Sequence, residues 1–207
     1  MASPLIVNSS AGDGMCYQSA TAWASAHDAA NADATEATGT SSFTEVTRTG
    51  SEREIRRQFF PFDTSGLPDD CTITSATLRV TAVADCAGGE AALVQSTQAS
   101  ASTLVDADYS RCNTTELAAR ITGAWNTGDH TFTLNEAGLA WINKTGTTFF
   151  CLRDGAYDVD NVDPADAVST RFRACFLERA ESASRPLLTV NYTEAPSGNP
   201  HYSYAQQ

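Results

Sequence analysis

A chain of 207 residues with 42% hydrophobic and 18% charged side chains can bury one sizeable core and needs no second domain. Its formal net charge of −12 and pI near 4.5 repel phosphate backbones and anionic bilayer surfaces, which excludes nucleic acid and membrane as partners. No stretch is apolar for long enough to span a bilayer.

Residues 5–9 and 15–19 predict short strands across a Gly12-Asp13-Gly14 turn. Residues 20–42 are mostly Ala, Thr, Ser, Asn and Asp; with Trp23 the one large apolar side chain, a packed helix has little to bury, so a long ordered loop is expected. Strands follow at 43–49 and 54–62. The second sets Phe60 and Phe62 on one face and Phe59 on the other, while Pro61, lacking an N–H, predicts an edge or a strand end. Residues 71–84 alternate Ala76, Leu78, Val80 and Ala82 with Thr77, Arg79 and Thr81, the period of a half-buried strand. A further strand at 91–97 would pair with it as a hairpin across Gly88-Gly89.

Between 100 and 125 the pattern loosens, with Asp106, Asp108 and Tyr109 in loop-like sequence and one or two helical turns over 114–121. A strand at 131–134 leads into a short helix at 135–143 with Asn135 as N-cap and Gly146 just past its end, placed to cap an open end of the fold. At 147–153, Phe150 and Leu152 face one side and Phe149 and Cys151 the other, so both faces should be covered, by a loop or by a partner subunit. Strands at 171–177 and 187–193 finish the sheets, with Leu188, Val190 and Tyr192 inward. Residues 194–207, carrying Pro196, Gly198, Pro200, Tyr202 and Tyr204, read as an extended tail that is either disordered or docked on a neighbouring subunit.

Six cysteines with no Cys-x-x-Cys spacing argue against a zinc ribbon and for inter-strand disulfides, at least one of them formed; the 15 possible pairings stay open. Arg48, Arg53, Arg56 and Arg57 lie within ten positions. Pairing with carboxylates across the sheet is the favoured reading, and a contact patch for an acidic neighbour the sharper one. His27, His130 and His201 fall in loops or tail, and no nucleophile elbow, zinc-protease helix or P-loop is present, which argues against catalysis. In the run from Asp154 to Pro164, Asp158, Asp160 and Asp163 offer hard oxygens suited to calcium, although the EF-hand glycine and terminal glutamate are missing; aspartates holding turns are the favoured alternative. No other cofactor is implied. Trp23, Tyr109, Trp125 and Tyr157 fall in expected loops and are candidates to stack on a sugar ring, whereas Trp141 reads as core. Sequons at Asn8, Asn113, Asn143 and Asn191 are expected by chance in a chain this rich in Ser and Thr.

Four segments, "FDTSGLPDDCTITSATLRV", "GAWNTGDHTFTLNEAGLAWINKTGTTFFCLR", "DVDNVDP" and "SRPLLTVNY", together resemble the DNRLRE-type domain, a secreted module grouped with carbohydrate-binding modules and also seen in phage virion and surface proteins. The resemblance spans most of residues 5–193. It implies an all-β fold, an antiparallel β-sandwich of jelly-roll type with one or two short capping helices. Residues 1–193 would form a single domain and 194–207 a tail. The module would be non-catalytic with an unspecified ligand, and Trp125, at a family position after Gly123, would be structural.

Met1-Ala2-Ser3-Pro4 lacks a basic start and residues 5–7 are too short for an apolar export segment. An extracellular type of module without an export signal fits the surface of a virus particle. The expected function is therefore a non-enzymatic structural or adhesive virion protein, a capsid decoration or a tail- or fibre-associated component. It would contact other virion proteins or copies of itself through Phe149, Tyr202 and Tyr204. The alternatives are a carbohydrate-binding module of a bacterial extracellular or cell-surface protein that holds a surface glycan, and a polysaccharide-active enzyme with an unrecognised carboxylate pair.

Overall fold

A computed structural model describes residues 4–195; the expected tail contacts Tyr202 and Tyr204 lie outside the described residues. Alternating apolar and polar residues over short runs produce an all-β fold of antiparallel sheets. The first sheet has the order β1 (Leu5–Asn8), β13 (Leu187–Thr193), β6 (Thr72–Ala82) and β10 (Gly128–Thr133). The second follows the path β11 (Thr147–Asp154), β7 (Cys86–Ser96), β12 (Ser169–Cys175), β4 (Ser41–Thr49), β5 (Glu52–Asp63), β2 (Gly14–Ala20) and β3 (Ala34–Glu36), with β8 (Cys112–Glu116) and β9 (Ile121–Trp125) also on β7.

The second sheet closes on itself. Along one edge of β5, residues 52–56 pair with β4 and residues 58–63 pair with β11, so that β5, β4, β12, β7 and β11 form a five-strand ring. Where β4 and β11 part, ladder partners run out and buried polar groups need others. Thr44 and Gln58, both fully buried, fill that fork. The Thr44 hydroxyl lies 3.0 Å from Gln58 Oε1 and 3.2 Å from the Leu152 carbonyl, and Gln58 Nε2 donates to Ser42 O at 3.0 Å. Pro61 sits near the end of β5, where its carbonyl accepts from Ser10 N–H at 2.7 Å on the side that β2 no longer covers.

The main core lies between the two sheets. Ala76, Leu78, Val80, Leu188 and Val190 from the first sheet meet Phe60, Phe62, Leu93, Phe150, Leu152 and Phe172 from the second. Helix α2 (Glu136–Trp141) caps one end, with the Asn135 side chain accepting from Gly138 N–H at 2.9 Å as the spacing predicts. A second core covers the other face of the larger sheet. There Cys16, Val46, Ile55, Phe59, Val94 and Cys151 lie beneath Ala26 of α1 (Trp23–His27), Leu104, Tyr109 and Val159. The doubly apolar β11 is thus covered on both faces by its own chain, while Phe149 stays half-buried with its carbonyl accepting from Trp141 Nε1 at 2.8 Å.

Three expectations are corrected. Strands β6 and β7 lie in different sheets and do not form a hairpin. Gly88 and Gly89 are inside β7, where the register with β9 shifts between Cys86 and Gly89; Gly88 has φ +75°, and a Cβ there would sit 1.8 Å from Gly123 O. The pair forms a β-bulge, not a turn. Residues 114–121 contribute to β8 and β9 instead of helical turns, and the expected loop over 20–42 contains α1 and β3.

A disulfide joins Cys112 of β8 to Cys151 of β11, 39 residues apart. Loop-closure entropy assigns such a bridge about 4 kcal/mol. Reduction, or Cys112→Ala, is expected to lower the urea midpoint by an equivalent amount, measured with and without dithiothreitol.

Asp13, in the β1–β2 turn, is fully buried; burial pushes its carboxyl up to about 7 even though Ser9 Oγ (2.5 Å) and Leu177 N–H (2.8 Å) donate to it. The folded state therefore holds a proton that the unfolded chain, with an ordinary value of 3.8, has released. That stabilising share is complete below pH about 4 and is lost as pH rises through about 7. Urea unfolding from pH 5 to pH 8 should show a decline of a few kcal/mol at most, and Asp13→Asn should flatten it.

Candidate functional site beneath the loop layer

The alternation that sends Ile55 and Phe59 into the second core sends Arg57 there as well, and on β11 Arg153 shares a face with Cys151. Arg57 is 3% exposed and Arg153 2%, so each guanidinium needs a partner that is also out of water. The partner is Asp158. It is carried on a helical turn (Gly155–Val159) that follows β11 directly and is N-capped by Asp154, whose carboxylate accepts from Tyr157 N–H at 2.8 Å.

Asp158 is clamped from two sides. Its Oδ2 accepts from Arg57 Nε at 2.9 Å and Arg153 Nε at 2.7 Å; its Oδ1 accepts from Arg57 Nη2 at 2.6 Å and Arg153 Nη2 at 2.8 Å. Burial alone would raise its carboxyl, but the two guanidiniums outweigh that and hold it well below the usual carboxylate range. Further donors bind backbone carbonyls, among them Asp158 O, which accepts from Arg153 Nη2 at 2.7 Å. Arg57 reaches Tyr109 O at 2.8 Å and His27 O at 3.0 Å, and Arg153 reaches Asn113 O at 2.8 Å. Arg57 also lies over the Tyr109 ring, 4.1 Å from its centroid. The end of α1, the turn at Tyr109 and the start of β8 are in this way fastened to one sheet face.

The expected site residues divide. Trp23, Tyr109, Tyr157 and Asp158 gather here. Trp23 stacks on His27 at 5.3 Å and donates from Nε1 to Asn161 Oδ1 at 2.8 Å, while His27 Nε2 lies 2.8 Å from Asp158 O. Tyr109, fully buried with its hydroxyl donating to Ala26 O at 2.8 Å, has no face for a sugar. Trp125 is elsewhere, 1% exposed in the inter-sheet core; it donates to Arg173 O at 2.8 Å, and His130 is stacked on it at 3.6 Å, so sugar stacking is ruled out there too. Trp23 and Tyr157 are half-buried at the margin of the second core.

Calcium ligation by Asp158, Asp160 and Asp163 does not follow from this geometry. Each carboxylate is taken by a different set of arginines: Asp160 by Arg120 at 2.6 and 3.0 Å, and Asp163 by Arg53 at 2.6 and 2.9 Å with Arg48 at 3.7 Å. Among the described residues no group of three or more metal-ligating side chains converges. The arginine cluster pairs across the structure as favoured, with Arg56 beside Glu45 (3.4 Å) and Glu54 (3.9 Å) completing it.

Sequence reasoning missed Arg153 and His27. An arginine in phase with Phe149 and Cys151 on a strand apolar on both faces was the available signal for the first; His27 carried none.

A cleft of about 270 Å³ opens above the clamp, lined by His27, Asp28, Arg57, Ser110, Thr114 and Arg153. A larger one, about 340 Å³, is lined by Glu45, Glu52, Glu54, Arg48 and Arg171. Its deepest carboxylate, Glu45, is 1% exposed and held between Arg56 and Arg171, an arrangement that fixes charge in place. No protein-family model and no curated protein matches the chain.

Removing the carboxylate leaves two buried guanidiniums without a counter-charge. Asp158→Asn is expected to cost about 3–5 kcal/mol in urea unfolding. The share Asp158 contributes is present above the ordinary carboxylate range and is lost as pH falls below it, so the gap between wild type and variant should narrow below pH about 4.

Proposed function

We propose that this protein is a non-enzymatic structural or adhesive surface module, a sandwich of jelly-roll type in the manner of DNRLRE-type domains. It is carried on the outside of a virus particle and packed against other virion proteins or copies of itself. The observation that carries this reading is the use made of buried charge. Arg57, Asp158 and Arg153, with the Cys112–Cys151 bridge, fasten the loops that a binding or catalytic module would leave free to move. Tyr109 and Trp125 are spent as core, which leaves fewer ring faces for a glycan. Phe149, half-buried on β11, is the described residue proposed to meet a neighbouring subunit.

Light scattering of the purified full chain across a concentration series, paired with a glycan array, tests this. Self-association that Phe149→Ser weakens, with no neutral glycan bound, is the expected result. A strict monomer that binds neutral glycans would overturn it in favour of a carbohydrate-binding module.

A further inference from the structure

Four of the six cysteines are free, and Cys86 at the start of β7 is the one among them that is not buried. The antiparallel pairing of Arg171 with Gly88 brings Cys86 and Arg173, two residues further along each strand, to one cleft of about 280 Å³ that Phe43 and Asp85 also line. The charges on its walls are not equivalent. Arg171 donates from Nε to Glu45 Oε1 at 3.0 Å and is neutralised there. Arg173 donates from Nε to Ser41 Oγ at 3.1 Å, while its two Nη groups make no hydrogen bond and no ion pair among the described residues. The Phe43 ring centroid lies 4.7 Å from Arg171 Cζ and 5.2 Å from Arg173 Cζ, which holds both guanidiniums in place. Across from them Asp85 is exposed, and its Oδ1 accepts from Thr127 N–H at 2.6 Å and Thr127 Oγ1 at 2.8 Å. Those donors hold its carboxyl below the usual range, so it is ionised at neutral pH, and its Oδ2 makes no hydrogen bond among the described residues.

We propose that Cys86 is a modification site that takes up a cysteine-type amino-acid thiol as a mixed disulfide, with the carboxylate of the adduct on Arg173 and its ammonium group on Asp85. The thiol, guanidinium and carboxylate of the cleft are the complements of the three functional groups of that ligand. In the step, the Cys86 thiol loses its proton to solvent and the thiolate attacks one sulfur of a cystine-type disulfide. The new S–S bond forms as the old one breaks, and the departing thiolate takes up a proton. The incoming disulfide supplies the oxidation, so no other oxidant is needed. Burial pushes the Cys86 thiol up, against the pull of the Arg173 backbone and of the two guanidiniums, so the attacking thiolate is a minor species at neutral pH and the rate rises with pH. The cleft is just smaller than the roughly 300 to 1,000 Å³ of drug-sized pockets, which leaves room for one amino acid. This inference stands apart from the role on a particle surface and survives if that role fails.

The test treats the full chain with cystine, cystamine and dithiodipropionate at physiological salt and follows adduct formation by intact and peptide mass spectrometry. The three disulfides undergo the same exchange, but cystamine lacks the carboxylates and dithiodipropionate lacks the ammonium groups. Each rate is divided by that of N-acetylcysteine amide with the same reagent, which removes differences between leaving thiols. An adduct on Cys86 is expected, with a normalised rate for cystine about threefold or more above both other reagents, the scale of exposed ion pairs. Arg173→Gln should remove the advantage over cystamine, Asp85→Asn the advantage over dithiodipropionate, and Cys86→Ser the adduct itself. The two charge variants sit on opposite walls and guard against a folding defect in either. No adduct on Cys86, equal normalised rates for the three reagents, an adduct that persists in Cys86→Ser, or advantages unchanged in both charge variants would overturn the proposal.

Discussion

One carboxylate without access to water, Asp158, organises the layer that covers the outer face of the larger sheet. The segments around α1, Tyr109 and the turn after β11 are poor in large apolar side chains, so hydrophobic burial alone cannot seal them onto the sheet. Two arginines on neighbouring strands substitute for it. Each ion costs several kcal/mol to desolvate, and four short charge-assisted hydrogen bonds are needed to offset this. Such a clamp adds little net stability; what it supplies is a unique arrangement, because any other docking of the loops would strand buried charge.

The same logic of satisfying what is buried runs through the sheets. Closing β11 onto β5 removes edges that would invite pairing with another chain, but it creates a fork where β4 leaves. Thr44 and Gln58 occupy that fork with polar side chains in place of a ladder. Around the ring, Gly88 supplies the bulge that lets β9 approach β7 at a distance no Cβ tolerates. The disulfide then joins β8 to β11, the two strands that share β7 as a neighbour.

Much of the fold was legible where a rule is local. The alternation of Phe59 against Phe60 and Phe62 sorted them into two cores, and Asn135 capped its helix as its type and position require. Legibility failed where partners are distant in sequence. Gly88-Gly89 has the composition of a turn, and its use as a bulge depends on Gly123, 35 positions away in the chain. The aspartates at 158, 160 and 163 have the look of a calcium loop because a sequence displays oxygens together while hiding the arginines that fold back onto them.

By itself the sequence determined the β character, the strand periodicity, the helix cap and the surplus of acid over base, since each follows from side-chain type and spacing along a few residues. The tertiary structure alone decided the closure of the second sheet, the pairing of Cys112 with Cys151, and the assignment of Tyr109 and Trp125 to the interior. It also decided that two of twelve arginines would be buried around one aspartate. Those outcomes depend on which strands meet across long loops, and burial, which sets the strength of every charge and the exposure of every ring, exists only once they have met.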